Sequence, residues 1–310
     1  MAKRLARHLD RLQAERPPRA KSLIVTIFGD AVLPHAGSIW LGSLIALAAP
    51  FDINERLVRT AVLRLSREGW LEARPLGRRS AYGATEAGRQ RIEDAYRRIY
   101  AAGLAPWDGR WCLVLAPPGA IAKAEREALR RELGWLGFGR LGADVSLHPS
   151  PDRASLDHAL RRLALVERVS VIVGDAAGAP RALVAACWQL AAVEAGYRDF
   201  LDRFRPAWSL VEAGGATDPA LAFRLRTLLI HEYRRAVLRD PQLPAELLAP
   251  DWPGHGARAL CRNLYRAIEA AAERHLDALL RNAEGPLPAL GPAYYQRFGG
   301  IGAPATAGPA

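Results

Sequence analysis

The sequence predicts a multidomain α+β protein with a basic winged helix-turn-helix near its start, a small α+β unit in the middle and a helical C-terminal third. Three observations carry this. Residues 21–104 read helix, helix, turn, helix, hairpin; residues 105–180 alternate strand and helix patterns; beyond Ala182 the strand patterns stop. A chain of 310 residues is also long for one hydrophobic core.

In chain order, MAKRLARHLDRLQAERPPRAK is polar, and residues 1–20 are expected to form a frayed arm. It has no apolar core and no small-residue cleavage site, so no secretory signal is expected. In SLIVTIFGDAV, Leu23 pairs with Ile27 and Ile24 with Phe28, which is helical spacing. Ser38 is the expected N-cap of IWLGSLIALAA, whose Leu41, Leu44, Ile45 and Ala48 form one stripe ending at Pro50. Asn54 caps the next helix: Val58, Ala61, Val62 and Leu65 face inward, and Gly69 provides the stop. WLEAR and SAYGA make a hairpin with PLGRRS as its tip, and Thr85 restarts a helix to about Gly103. The middle region supplies RWCLVLA, ADVSLH and VSVIVGD as strands and two helices between them. Residues 181–298 are helical and residues 299–310 are an expected disordered tail.

Charge places the first function. The net charge is +11, and residues 1–100 hold 18 basic against 10 acidic residues, so most of the excess lies there. A segregated basic region attracts polyanions. A helix fits the major groove of DNA, where arginine pairs with guanine and threonine meets edge atoms or a thymine methyl. Arg56, Arg59, Thr60 and Arg64 are therefore the candidate readers, with Arg67 at the helix margin. Arg78 and Arg79 at the wing tip suit phosphates or the minor groove, and Lys21 and Arg19 the DNA backbone. The bland alternative is a protein-docking winged helix with solvated arginines.

Catalytic motifs fail on context. GFGRLG (137–142) matches G-x-G-x-x-G, yet it follows a helix and leads into a strand, the reverse of a dinucleotide fingerprint. His231-Glu232 begins H-E-x-x-H, but Arg235 stands where the second ligand belongs. Cys112, Cys187 and Cys261 are far apart and lack a C-x-x-C pair, so no disulfide framework or cysteine zinc site is expected. No apolar stretch reaches the roughly 18 residues of a membrane span. A cytoplasmic non-enzyme without metal or cofactor is expected.

The C-terminal third combines aromatics with cations. Trp188, Tyr197, Tyr233 and Trp252 suit an aryl group, and Arg234, Arg235, His255 and Arg258 suit phosphates. Most of these residues taken singly also suit ordinary helix packing and solvated surface.

RLVRTAVLRLSREGWLEARPLGRRSAYGATEAG, then APWDGRW, LGWLGFGRLGADVSLHP and DPQLPAELLAPDWPGHGARAL together resemble the PaaX family of transcriptional repressors of phenylacetate catabolism. The resemblance spans about Lys21 to Gly299, and the string from Asp240 to Gly254 is its most specific part. It implies a ferredoxin-like central domain similar to CRISPR adaptation nucleases, a helical C-terminal domain for ligand and dimerisation, a homodimer on double-stranded operator DNA, and release by an aryl-CoA effector such as phenylacetyl-CoA. Two positions depart from the pattern. Leu63 stands where the family's recognition helices commonly carry a small polar residue, to contact a thymine methyl or simply to pack. RWCLVLA ends without the Asp that metal-dependent nucleases need. A metal-dependent nuclease built on the central domain and a winged-helix protein adaptor are the competing readings.

Overall fold

Leu5, Leu9 and Leu12 repeat at helical spacing, and they are buried along α1 (Ala2–Glu15) in the computed structural model of the chain. Residues 1–301 are described, apart from 36, 77–78, 104–105, 177, 217, 283–284 and 287. The start is thus an ordered helix and not a frayed arm. His8 Nε2 lies 3.0 Å from the Arg203 carbonyl, and Arg16 bridges Asp199 and Glu232, each at 2.8 Å. Those partners lie 183 to 216 residues away, out of reach of any local pattern. The tail beyond residue 301 falls outside the described residues.

Helix α2 (Ala20–Ile27) runs directly into a π-helical turn, Phe28–Val32, which buries Asp30 beside Phe28, Ala31 and Val32. Ser38 does not cap a helix. It opens β1 (Ser38–Trp40), which pairs antiparallel with β3 (Arg79–Ala84), Ile39 facing Tyr82. The buried, β-branched Ile39 suits a strand, and the apolar helical stripe begins only at Leu41 in α3 (Leu41–Ala48).

Helix α4 (Glu55–Arg67) begins where the Asn54 side chain accepts the Leu57 N–H at 3.0 Å, and it stops where Gly69 takes φ +69°. Strand β2 (Leu71–Leu76) then pairs with β3 from Leu71↔Ala84 to Leu76↔Arg79. The ladder is longer than WLEAR and SAYGA, taking in Pro75, Leu76, Arg79 and Ser80 of the expected tip PLGRRS, and residues 77–78 lie outside the described residues. The sheet order is β1-β3-β2. Thr85 caps α5 (Glu86–Ile99), accepting the Gly88 N–H at 2.9 Å and donating to the Gly69 carbonyl at 2.6 Å. Residue 88 must be glycine, because a Cβ there would lie 2.0 Å from the Trp70 carbonyl oxygen.

A second, antiparallel sheet has the order β5-β6-β4-β7, from β4 (Arg110–Leu115), β5 (Gly139–Arg140), β6 (Val145–His148) and β7 (Ser170–Asp175). Helices α6 (Lys123–Trp135) and α7 (Arg153–Arg162) contribute Leu129, Leu133, Leu156 and Leu160 to one core with Cys112 and Val114 of β4. GFGRLG is a packing turn. A Cβ on Gly139 would meet the Trp188 ring at 2.6 Å, and Gly137 has φ +89°.

Helices α8 (Pro180–Cys187), α9 (Ala191–Glu212), α10 (Pro219–Val237) and α11 (Pro253–Leu279) follow. Strands do not vanish beyond Ala182: β8 (Arg281–Asn282) pairs with β9 (Gly285–Pro286) ahead of α12 (Pro292–Tyr295). The chain forms two compact units, one from Met1–Gly103, Arg198–Arg235 and His255–Ala310, the other from Leu104–Tyr197 and Ala236–Gly254. No helix among the described residues is long and apolar enough to cross a membrane.

Candidate nucleic-acid interface

Helix α4 buries Val58, Ala61, Val62 and Leu65 and leaves the opposite side open. At about 100° per residue, the line farthest from that buried stripe runs through Arg56, Thr60, Leu63 and Arg67, all exposed. Arg59 lies on one flank of the line; Arg64 and Leu57 lie on the other. Arg59 is held by Glu55, with Nε 2.8 Å from the carboxylate. Thr60 donates its hydroxyl to the Arg56 carbonyl at 2.8 Å, which leaves the oxygen able to accept. Arg56, Arg64 and Arg67 have no acidic partner among the described residues. Lys21 pairs with Glu68, just past the end of α4. Arg78 lies outside the described residues; Arg79 is placed only by its backbone, opposite Leu76.

The same unit encloses a charged cluster that sequence reasoning did not nominate as a site. Asp30 Oδ2 accepts from Arg226 Nε at 2.7 Å, and its Oδ1 accepts from Tyr265 at 3.0 Å and Arg297 at 3.1 Å. Tyr100 donates to the same Oδ1. Glu273 takes a second Arg226 nitrogen and lies 3.0 Å from His35 Nε2. Arg297 sits between the Tyr100 ring at 4.2 Å and the Tyr294 ring at 4.4 Å. Burial opposes the Glu273 charge, but Arg226 and three hydrogen bonds outweigh it and hold the carboxyl at about 2. Burial likewise opposes charge on His35, and its bonds to Glu273 and the Pro288 carbonyl reverse that, raising it above its ordinary value. Two arginines thus face two carboxylates with ring faces filling the gaps, the condition under which buried charge is tolerated. The cluster joins the π-helical turn after α2 to α10, α11 and the segment around α12. One sequence signal was present: Asp30 falls on the apolar stripe of Ile27 and Ala31, where a charge needs a partner.

The residues expected to hold an aryl-CoA divide between the units. In the second unit, Tyr197 is buried, donates to Asp240 at 2.6 Å and meets the Trp252 ring edge-on at 6.1 Å. Asp240 also accepts the Gln242 N–H at 2.7 Å, so the Asp240–Gly254 string is pinned at its first residue. Trp188 donates its indole N–H to the Gly137 carbonyl at 2.9 Å. In the first unit, Tyr233 is fully buried against Phe200. Arg234 is turned inward, its guanidinium 2.9 Å from Thr26 Oγ1 and 3.3 Å from the Ser22 carbonyl. Arg258 reaches the Ala101 carbonyl at 3.3 Å. Arg235 and His255 are exposed, Arg235 lying 3.5 Å from Glu232. No group of three or more His, Cys, Asp or Glu able to hold a metal ion occurs among the described residues.

The chain is a multidomain α+β protein that presents a basic helix from its first hundred residues, and three family models match it: the PaaX-like protein over residues 19–88, the PaaX protein central Cas2-like domain over 104–184, and the PaaX-like protein C-terminal domain over 188–278. The chain belongs to the PaaX family. It is 38% identical over 291 residues to the Transcriptional repressor PaaX of Escherichia coli (strain K12), covering 92% of each chain. Among solved structures, the Uncharacterized protein Rv0674 from Mycobacterium tuberculosis is similar at a TM-score of 0.54 and 25% identity, over 82% of this chain and 97% of that one.

Proposed function

We propose that this chain is a transcriptional repressor that holds double-stranded operator DNA through a winged helix-turn-helix within residues 21–104. The single observation that carries the reading is the solvent-facing line of α4, Arg56–Thr60–Leu63–Arg67, flanked by Arg59 and Arg64. A groove about 12 Å wide lets the outermost line of a helix reach base edges while its flanks meet the phosphate walls. Arg56 and Thr60 are accordingly readers, and Arg59 and Arg64 phosphate contacts. Lys21 and the wing residues Arg78 and Arg79 add sequence-independent attraction. A relative bearing the name of a transcriptional repressor over nearly the full chain supports the same reading.

We further propose a cytoplasmic homodimer, with residues 105–180 as a ferredoxin-like domain and residues 181–298 serving ligand and dimer. It regulates a phenylacetate-type aromatic-acid operon and leaves DNA when an aryl-CoA thioester such as phenylacetyl-CoA binds. Of the ligand candidates, Trp188, Tyr197, Tyr233, Trp252, Arg235, His255 and Arg258 stand, whereas Arg234 is engaged with Ser22 and Thr26. The test is selection from a random duplex pool, followed by titration of the enriched duplex and of a scrambled one at several salt concentrations. A repressor enriches one motif, binds it far more tightly than the scrambled duplex, and weakens linearly in log affinity against log salt. Enrichment of nothing rejects the reading.

A further inference from the structure

The outward line of α4 is polar and cationic except at one place. Leu63 is 52% exposed at the middle of that line, with Thr60 three residues before it and Arg59 and Arg67 four residues to either side. A leucine in this position keeps about half of its surface in water, so folding yields only part of the stabilisation that full burial would give. Single exposed leucines are common and call for no cause by themselves. Here the surroundings select the partner. An apolar tip ringed by two arginines and a threonine fits a surface that is anionic at its rim and apolar at one central point. The major groove has that layout wherever a thymine sits on its floor: phosphates line both walls, and the C5-methyl is the one apolar group exposed on the base edges.

We infer that Leu63 reads the C5-methyl group of a thymine in the operator, making it a specificity-determining residue; the inference rests on the repressor reading. Arg56 and Thr60, on the same line, contact the neighbouring base pairs, so a thymine lies one or two base pairs from the arginine-read position. Leu57 gives an internal comparison. It is 44% exposed on the same helix but lies about a quarter-turn from the central line, facing a groove wall where no base methyl projects.

The experiment uses the full-length protein and the duplex enriched from a random pool, with each thymine replaced in turn by 2′-deoxyuridine, which removes the methyl and nothing else. Wild-type protein binds about fourfold more weakly at one such position per half-site, the factor for roughly 0.8 kcal/mol per buried methyl-sized group. Leu63→Ala, a change at an exposed site that keeps helix propensity, binds the parent duplex more weakly by a similar factor and no longer distinguishes thymine from uracil there. Leu57→Ala keeps the wild-type uracil profile. The inference is overturned if the enriched duplex has no uracil-sensitive thymine, if Leu63→Ala retains the wild-type profile, or if Leu57→Ala loses it while binding the same motif. Enrichment of no motif at all overturns the repressor reading as well, and so separates the two failures.

Discussion

Arg226 donates its Nε to Asp30 Oδ2 at 2.7 Å across 196 residues of sequence, and neither group reaches solvent. The pair joins the π-helical turn that continues α2 to the middle of α10. With Arg297 and Glu273 it balances two cations against two anions, the arginines fully buried and Glu273 keeping 12% of its side chain exposed. Such an arrangement contributes little net stability when whole and costs a great deal when broken, because the survivor is a buried, uncompensated charge.

Asp30→Asn should therefore lower the unfolding free energy by about 3–5 kcal/mol, read from urea midpoints at constant slope. Asp30→Asn combined with Arg226→Met should cost less than the sum of the two single changes, since the double variant leaves fewer charges unmatched. Strict additivity would show that the two residues do not act as a pair.

That cluster also marks how far the sequence could be read. The elements of the first hundred residues that follow local rules were legible: Asn54 and Thr85 cap the helices expected of them, and Gly69 stops α4. What was not legible depends on distant partners. Helix α1 carries a legible stripe of Leu5, Leu9 and Leu12, but the partners that hold it, Arg203, Asp199 and Glu232, are distant in sequence. Ser38 looked like a cap because its neighbourhood is apolar, and only the free edge of β3 makes it a strand. Arg297 lies in a stretch rich in Pro, Gly and Ala with no local pattern to mark it as buried; the phenol rings around it are supplied by α5 and the Tyr100 that follows it, by α11 and by α12. For α4 the inward and outward faces were readable, but which outward residue stands on the central line became plain only once the buried stripe was known.

Arg56 and the pair Arg78 and Arg79 should separate in their effects on DNA. Arg56→Ala removes a planar donor from the central line and should cost about 1–3 kcal/mol on the selected duplex and much less on a scrambled one. Arg78→Ala with Arg79→Ala should weaken both duplexes alike and reduce the salt slope by about 0.9 for each phosphate that is no longer neutralised. Equal weakening of both duplexes by Arg56→Ala would leave that residue only a phosphate contact, and an unchanged salt slope would take Arg78 and Arg79 off the DNA.

His231 sets an acid limit on stability. Burial, reinforced by the charges of Arg234 and Arg235, lowers its pKa from 6.5 to about 3, and its Nδ1 lies 3.0 Å from Thr26 Oγ1. Unfolded chain takes up this proton near 6.5 while folded chain resists it to about 3. Stability is therefore full above 6.5 and falls as pH drops through that window, at about 1.4 kcal/mol per pH unit for the one proton. His8 and His275, also lowered by burial, act in the same direction. His35 acts oppositely: its raised pKa gives stability that is full below 6.5 and lost as pH rises through the folded value. Replacing His231 by Asn should thus reduce the loss of unfolding free energy between pH 7.5 and 5 by about 2 kcal/mol. An unchanged acid slope would mean that His231 is already protonated in the folded protein.

A CoA thioester needs groups that a free acid does not. Phenylacetate has one ring and one carboxylate, and a single arginine beside an aromatic wall would hold it. The thioester adds a pyrophosphate, a 3′-phosphate, an adenine and a long arm, and so requires several cations at the surface together with an apolar slot for the aryl end. Among the candidate cations Arg234 is committed to Ser22 and Thr26, whereas Arg235 and His255 are open to solvent and able to take a phosphate without unmaking the core. To pass from almost fully bound to almost fully free DNA, the ligand must prefer the released form by around 10⁴-fold, near 5.5 kcal/mol, which weak surface adhesion does not supply. Phenylacetyl-CoA should then release the selected duplex in a purified system, and phenylacetate and free CoA should not. Arg235→Ala with His255→Ala should leave DNA affinity intact and raise the thioester concentration needed for release, while Arg234→Ala should instead lower thermal stability by loss of its buried hydrogen bonds. Release by phenylacetate alone at the same concentration would remove the argument for a CoA site, and a normal response of the Arg235/His255 variant would remove these two residues from it.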